Sequence, residues 1–126
     1  MVDSSAWIDY LRRGRGAISD TVDSLLVSGD AAICGMIELE ILQGLGARER
    51  QRVSELFSAL EYVETERRDY VFAGKRLGEL RSRGVTSPSA DVLVAAVCVR
   101  SGIPLLTSDK HFELIPEVER MPLEAG

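Results

Sequence analysis

Two spacings of apolar residues alternate along this chain: short continuous runs, and longer stretches in which apolar residues recur every three or four positions. The first suits buried strands and the second suits helices with one face in a core. Met1 and Val2 read as the tail of a first strand with Asp3 at its carboxyl end. Ser4 and Ser5 then open a helix carrying Ala6, Trp7, Ile8, Tyr10 and Leu11. Gly14 and Gly16 break it, and a second helix runs through Ile18, Val22, Leu25 and Leu26 to a Gly29-Asp30 turn. Residues 31–34 predict a buried strand, and Met36, Ile37, Leu39, Ile41 and Leu42 a nearly all-apolar helix ending around Gly44 and Gly46. Residues 48–60 predict an exposed amphipathic helix, with Val53, Leu56, Phe57 and Leu60 inward, and Tyr62 and Val63 a third strand.

The second half continues the alternation. Thr65, Arg68 and Asp69 open a long helix through Tyr70, Val71, Ala73, Leu77 and Leu80 that Gly84 stops. Ser87, Pro88 and Ser89 precede a strongly apolar helix over 90–100, capped by Gly102. Residues 105–107 predict a strand, 111–115 a short helical turn and 118–123 an edge strand. Strand and helix alternating from end to end argue for a parallel α/β sandwich. With 126 residues, no repeat and no linker, the expectation is a single domain over 1–126.

Four acids interrupt this core-like pattern. Asp3 falls at a strand-to-helix junction, where ligands bind in open α/β sheets. Asp91 is the single acid of its helix and stands in the first turn, and Asp109 lies just past a strand. Each of these three has an ordinary alternative: capping for Asp3, the helix dipole for Asp91 and a turn for Asp109. Glu40 is harder to explain away, because an unpaired Glu among Met36, Ile37, Leu39, Ile41 and Leu42 costs several kcal/mol or becomes protonated. Glu38 is its rival, two residues and about 200° away around the helix. Periodicity does not choose between them. Gathered together the acids repel, and a divalent metal held by oxygen ligands relieves that repulsion; the donor type points to Mg2+, with Mn2+ as the alternative.

Charge and composition narrow the field. Cys34 and Cys98 sit among apolar neighbours without a CxxC pair, and His111 is the only histidine, so buried free thiols are expected rather than a zinc site. With His111 the only histidine, no Ser/His/Asp or Cys/His arrangement is evident, which leaves metal-assisted chemistry in front. No apolar run approaches the roughly 20 residues of a membrane span, and a cytoplasmic protein is expected. The net charge of −5 argues against a broadly basic nucleic-acid binder. Bound divalent cations would offset much of that charge locally, and Arg12, Arg13 and Arg15 form a basic cluster after the first helix. Trp7 and Tyr10, on the same helix, are expected to pack in a core or subunit contact rather than stack on bases.

Four segments carry a family resemblance: Asp3-Ser4-Ser5-Ala6-Trp7-Ile8, Glu40-Ile41-Leu42-Gln43-Gly44, Ser89-Ala90-Asp91-Val92-Leu93-Val94-Ala95-Ala96, and Pro104-Leu105-Leu106-Thr107-Ser108-Asp109-Lys110-His111-Phe112. In order and spacing they resemble the successive motifs of PIN-domain ribonucleases, in particular the VapC-type toxins of bacterial toxin–antitoxin pairs. The resemblance implies a three-layer α/β sandwich with a short, mostly parallel central sheet flanked by helices. It selects Glu40 over Glu38, because the family's acid stands four residues before the glycine. It also implies that Asp3, Glu40, Asp91 and Asp109 are the catalytic and metal-binding acids, with Ser5 supporting the site. Many members carry a further acid two residues after the fourth; here that position is His111, whose imidazole suits manganese better than magnesium.

The activity so implied is metal-dependent endonucleolytic hydrolysis of RNA by a water nucleophile, with Ser5, Arg12, Arg13 and His111 near the substrate. The implied partners are a VapB-like antitoxin whose basic C-terminal segment lies in the acidic groove, a second copy in a homodimer, and a higher toxin–antitoxin assembly. Two competitors are weighed against it. One is a catalytically weak or inactive α/β domain whose acidic groove mainly binds the basic peptide. The other is a phosphatase or receiver-type domain, disfavoured because Asp3 has no acidic neighbour.

Overall fold

A computed structural model describes residues 1–12 and 14–123. Its helices are α1 (Ser4–Leu11), α2 (Ala17–Ser28), α3 (Gly35–Gln43), α4 (Ala47–Ser58), α5 (Arg67–Ser82) and α6 (Ser89–Ser101), with a 3-10 turn at Lys110–Leu114. Two strands, β1 (Ala32–Cys34) and β2 (Glu61–Val63), pair in parallel with Ile33 opposite Tyr62. The helix order and boundaries follow the apolar spacing closely. Gly102, with φ of 67°, ends α6 in the left-handed conformation that glycine adopts without a Cβ penalty.

The sheet extends beyond its two full strands through three very short segments. Val2 N donates to Ala32 O, joining the N-terminal segment to β1. Val2 forms a parallel bridge with Leu106, and Leu105 a parallel bridge with Arg120. The spatial order is therefore β2, β1, then the segments around Val2, Leu105 and Arg120. The edge strand expected over 118–123 shrinks to that one bridge. Pro122 has no N–H to continue a ladder, and Pro104 limits the neighbouring segment in the same way.

The core lies around α6, whose residues Val92, Leu93, Val94, Ala95, Ala96, Val97 and Cys98 are all buried. A helix buried on every side needs neighbours all round, and α6 packs against α5, α3 and the 3-10 turn. Each fully buried aliphatic side chain there contributes on the order of 1.5–3 kcal/mol. Trp7 is buried too, its ring 5.0 Å from that of Phe57 and edge-on to it, so it belongs to the core and not to an RNA-facing surface. Cys34 and Cys98 are buried free thiols.

Two ion pairs fasten the later elements. Asp69 is 1% exposed and takes the Arg100 Nε at 2.8 Å, while its other oxygen accepts the Glu66 N–H at the start of α5. Arg76 on α5 pairs with Glu117 and donates to Leu114 O, holding the segment that follows the 3-10 turn.

Candidate active site

Asp3 is shared between sheet and helix. Its N–H donates to Leu106 O at 2.9 Å, and its C=O accepts from Ala6 and Trp7 N–H, each at 3.0 Å, which starts α1. The side chain makes no capping bond, so the capping role weighed for it is not used. Instead Asp3, 3% exposed, accepts hydrogen bonds at Oδ2 from Ser5 Oγ (3.0 Å) and Thr107 Oγ1 (2.8 Å). Among the described residues no hydrogen bond goes to Oδ1, leaving one anionic oxygen of a buried carboxylate unpartnered.

Thr107 is the hub of this corner. Besides donating to Asp3, its hydroxyl accepts the Asp109 N–H at 3.0 Å and lies 3.2 Å from Ser5 Oγ. Ser5 in turn accepts the Ser108 N–H at 3.2 Å. Two hydroxyls thus tie the end of the first segment to the loop that carries Asp109. Ser5, which the resemblance marked as a supporting hydroxyl, makes the contacts just described; Thr107 went unsingled in the sequence because a threonine ending a strand carries no signal of its own.

Glu40 is half-buried rather than enclosed, and its Oε1 accepts the Ser4 hydroxyl at 2.9 Å. The partner that the apolar surroundings seemed to deny it comes from α1. Glu38, one face away, lies close enough to Tyr62 to help raise that phenol's pKa, behind burial and Glu64. The two acids of α3 therefore point to different surroundings, and Glu40 is the one joined to the Asp3 segment.

Asp91 Oδ2 and Asp109 Oδ1 both face the His111 Nδ1, at 4.0 and 2.9 Å, and ligand atoms of the three residues all lie within 4.8 Å of one another. Asp3 and Glu40 stand outside this tight group, but their charges reach it. The Asp91 carboxyl is pushed up to about 6, chiefly by burial and then by Asp3, Asp109 and Glu40, with His111 pulling the other way. Asp91 sits in the first turn of α6 as expected, but neither Ser87 nor Ser89 caps that helix; the N-cap is Pro88. Asp109 does hold a turn, accepting the His111 N–H at 2.9 Å, so the ordinary role and the clustered one coexist.

Two clefts open beside the acids. One of about 400 Å3 is bordered by Ser5, Arg12, Arg15 and Ser108. The other, about 280 Å3, is lined by Ile8, Leu11, Ile41, Leu45 and Val53, with Glu40 and Arg12 at its edge. Arg12 is exposed at the end of α1. Arg13 lies outside the described residues.

The donor set fits a divalent cation. Among the described residues, neither Asp3 nor Glu40 has a Lys or Arg in salt-bridge contact, and Asp91 and Asp109 face only His111. Like charges packed this way, with carboxylate oxygens left free, are the arrangement that a bound cation relieves.

A family model described as "PIN domain" matches residues 1–118. Ribonuclease VapC21 of Mycobacterium tuberculosis is 32% identical over 114 residues, covering 86% of this chain and 81% of the relative. Ribonuclease VapC1 of Methanocaldococcus jannaschii is 28% identical over 119 residues, covering 93% and 81%. Among solved structures, VapBC2 from Rickettsia felis bound to a DNA fragment from its promoter superposes with a TM-score of 0.79 at 17% identity, covering 98% of each chain. DNA-bound VapBC from Salmonella typhimurium gives 0.79 at 20% identity, covering 96% and 95%.

Proposed function

The chain belongs to the PIN domain family, and from that premise we propose that it is a VapC-type endoribonuclease toxin that hydrolyses RNA at the acids around Asp91. The observation that carries this reading is the meeting of Asp91, Asp109 and His111 within 4.8 Å, beside an Asp3 carboxylate whose Oδ2 is pinned by Ser5 and Thr107. A catalytically inactive peptide-binding domain is not favoured, because the named relatives are ribonucleases.

Asp91 and Asp109, with Asp3 directly or through water, would hold a divalent ion, magnesium or manganese. When bound, that ion supplies charge for the phosphoryl oxygens and a water of lowered pKa. The chain's own residues do the rest. Ser5 and Thr107 hold the Asp3 carboxylate in one orientation, so its free Oδ1 points without rotamer loss on binding. Glu40, kept at the rim by Ser4, has a second oxygen that takes no hydrogen bond among the described residues and can accept a proton from the attacking water. Arg12 and Arg15, which border the cleft beside Ser5, offer phosphate contacts there, and His111, against Asp109, stands where it can meet a substrate phosphate.

The partner we propose is a VapB-like antitoxin. Its segment would lay apolar side chains along Ile8, Leu11, Ile41, Leu45 and Val53 and end in a basic residue at the acids. A homodimer is supported by Leu39, Tyr62 and Tyr70, which are 56%, 49% and 59% exposed around one hollow. Among the described residues no helix is long and apolar enough to cross a membrane.

The deciding experiment is cleavage of cellular RNA by the purified chain in magnesium or manganese. Cleavage that stops with EDTA and falls at least a hundredfold in Asp91→Asn supports the reading. Equal cleavage by wild type and Asp91→Asn would sink it.

A further inference from the structure

Resting on the metal-dependent reading above, we propose that His111 is itself a metal ligand through Nδ1, alongside Asp91 and Asp109, and that this mixed set selects a first-row transition ion such as manganese over magnesium. His111 Nδ1 is 2.9 Å from Asp109 Oδ1 and 4.0 Å from Asp91 Oδ2, and ligand atoms of the three residues lie within 4.8 Å of one another, close enough for one ion to reach all three. The imidazole is 55% exposed, so burial does not hold it there. What holds it is the turn: Asp109 Oδ1 accepts the His111 N–H at 2.9 Å, and the next residue, Phe112, is 1% exposed and anchors the 3-10 turn in the core.

The chemistry follows from the donor. Magnesium sheds its water reluctantly and takes oxygen ligands, whereas an imidazole nitrogen raises affinity for the transition ions. An all-carboxylate set at this point would discriminate little between magnesium and manganese. With His111 in the set, the preference for manganese becomes a property of this chain's own residues.

The test uses the tag-free 126-residue chain, in which His111 is the only histidine, so an imidazole signal has one source. Pulsed EPR of the Mn2+-loaded protein should show 14N coupling from a directly bound imidazole, absent in His111→Asp and His111→Ala. By calorimetry, the ratio of magnesium to manganese dissociation constants should fall at least fivefold in His111→Asp, and Asp91→Asn should weaken Mn2+ binding at least tenfold. Manganese bound without nitrogen coupling, or a ratio unchanged by His111→Asp, overturns the proposal and leaves the nuclease reading standing. If the folded wild-type chain binds neither ion at millimolar concentration, the metal-dependent reading falls as well.

Discussion

Thr107 Oγ1 donates to Asp3 Oδ2 at 2.8 Å, joining residues 104 positions apart. The same hydroxyl accepts the Asp109 N–H, so one side chain sets the spacing of two acids that sequence places at opposite ends. Thr107→Val keeps the shape and removes both bonds. It should cost about 1–2 kcal/mol in urea unfolding and lower RNA cleavage at least tenfold, while Thr107→Ser stays within a few-fold of wild type. Unimpaired cleavage by Thr107→Val would show that Asp3 needs no such support.

Asp91 gives the metal-free protein a recognisable pH signature. Its carboxyl is raised to about 6 in the folded chain, and unfolding returns it to roughly 3.9. Between those values the folded state holds more of the proton, so the Asp91 contribution to stability falls as pH rises through this window. Asp91→Asn should therefore be more stable than wild type at pH 7.5 by about 1–3 kcal/mol in EDTA. That advantage should shrink towards pH 4.5. Denaturation curves of the two proteins at several pH values check it, and an Asn variant less stable at pH 7.5 would contradict it.

The two acids of α3 should behave oppositely. Glu40→Gln is expected to lower cleavage at least tenfold, and Glu38→Gln to leave it within twofold. Ser4→Ala, which frees Glu40 Oε1, should fall between them and cost no more than about 1 kcal/mol of stability. A rate assay on the three purified variants separates these outcomes.

Asp69 should matter to the fold and not to the chemistry. Both its oxygens lie within 2.9 Å of the Arg100 Nε, and one also accepts the Glu66 N–H. Asp69→Ala leaves the Arg100 Nε and the Glu66 N–H without their acceptor, while Glu66 and the Glu64 carbonyl still hold the guanidinium, and should cost about 1–3 kcal/mol. Cleavage per folded molecule should not change, and thermal unfolding with a rate assay below the transition tests both halves.

Much of this molecule could be read from its residues. The apolar run of α6, its glycine stop and the lone acid in its first turn are local features, and local physics decided them. The five strand segments were also legible, although the outer ones proved too short for full ladders beside Pro104 and Pro122. What stayed hidden were contacts between distant parts. Ser4 and Ser5 look alike as helix starters, yet Ser4 reaches Glu40 and Ser5 reaches Asp3, and only the packing of α1 against α3 separates those roles. The choice of Glu40 came from the family likeness, since periodicity carries no information about which helix lies alongside.

The N-terminal segment pairs with the stretch around Leu106, which is made only after the six helices between them. A ribosome that has not yet released residues 104–109 holds a polypeptide with Asp3 already present but without Thr107, Asp109 or the backbone that Asp3 bonds to. Contacts this far apart in sequence form only after the intervening chain is closed into a loop. The order of synthesis therefore leaves a partly made copy without the assembled acidic cluster, which is complete only once the segment around Leu106 has docked.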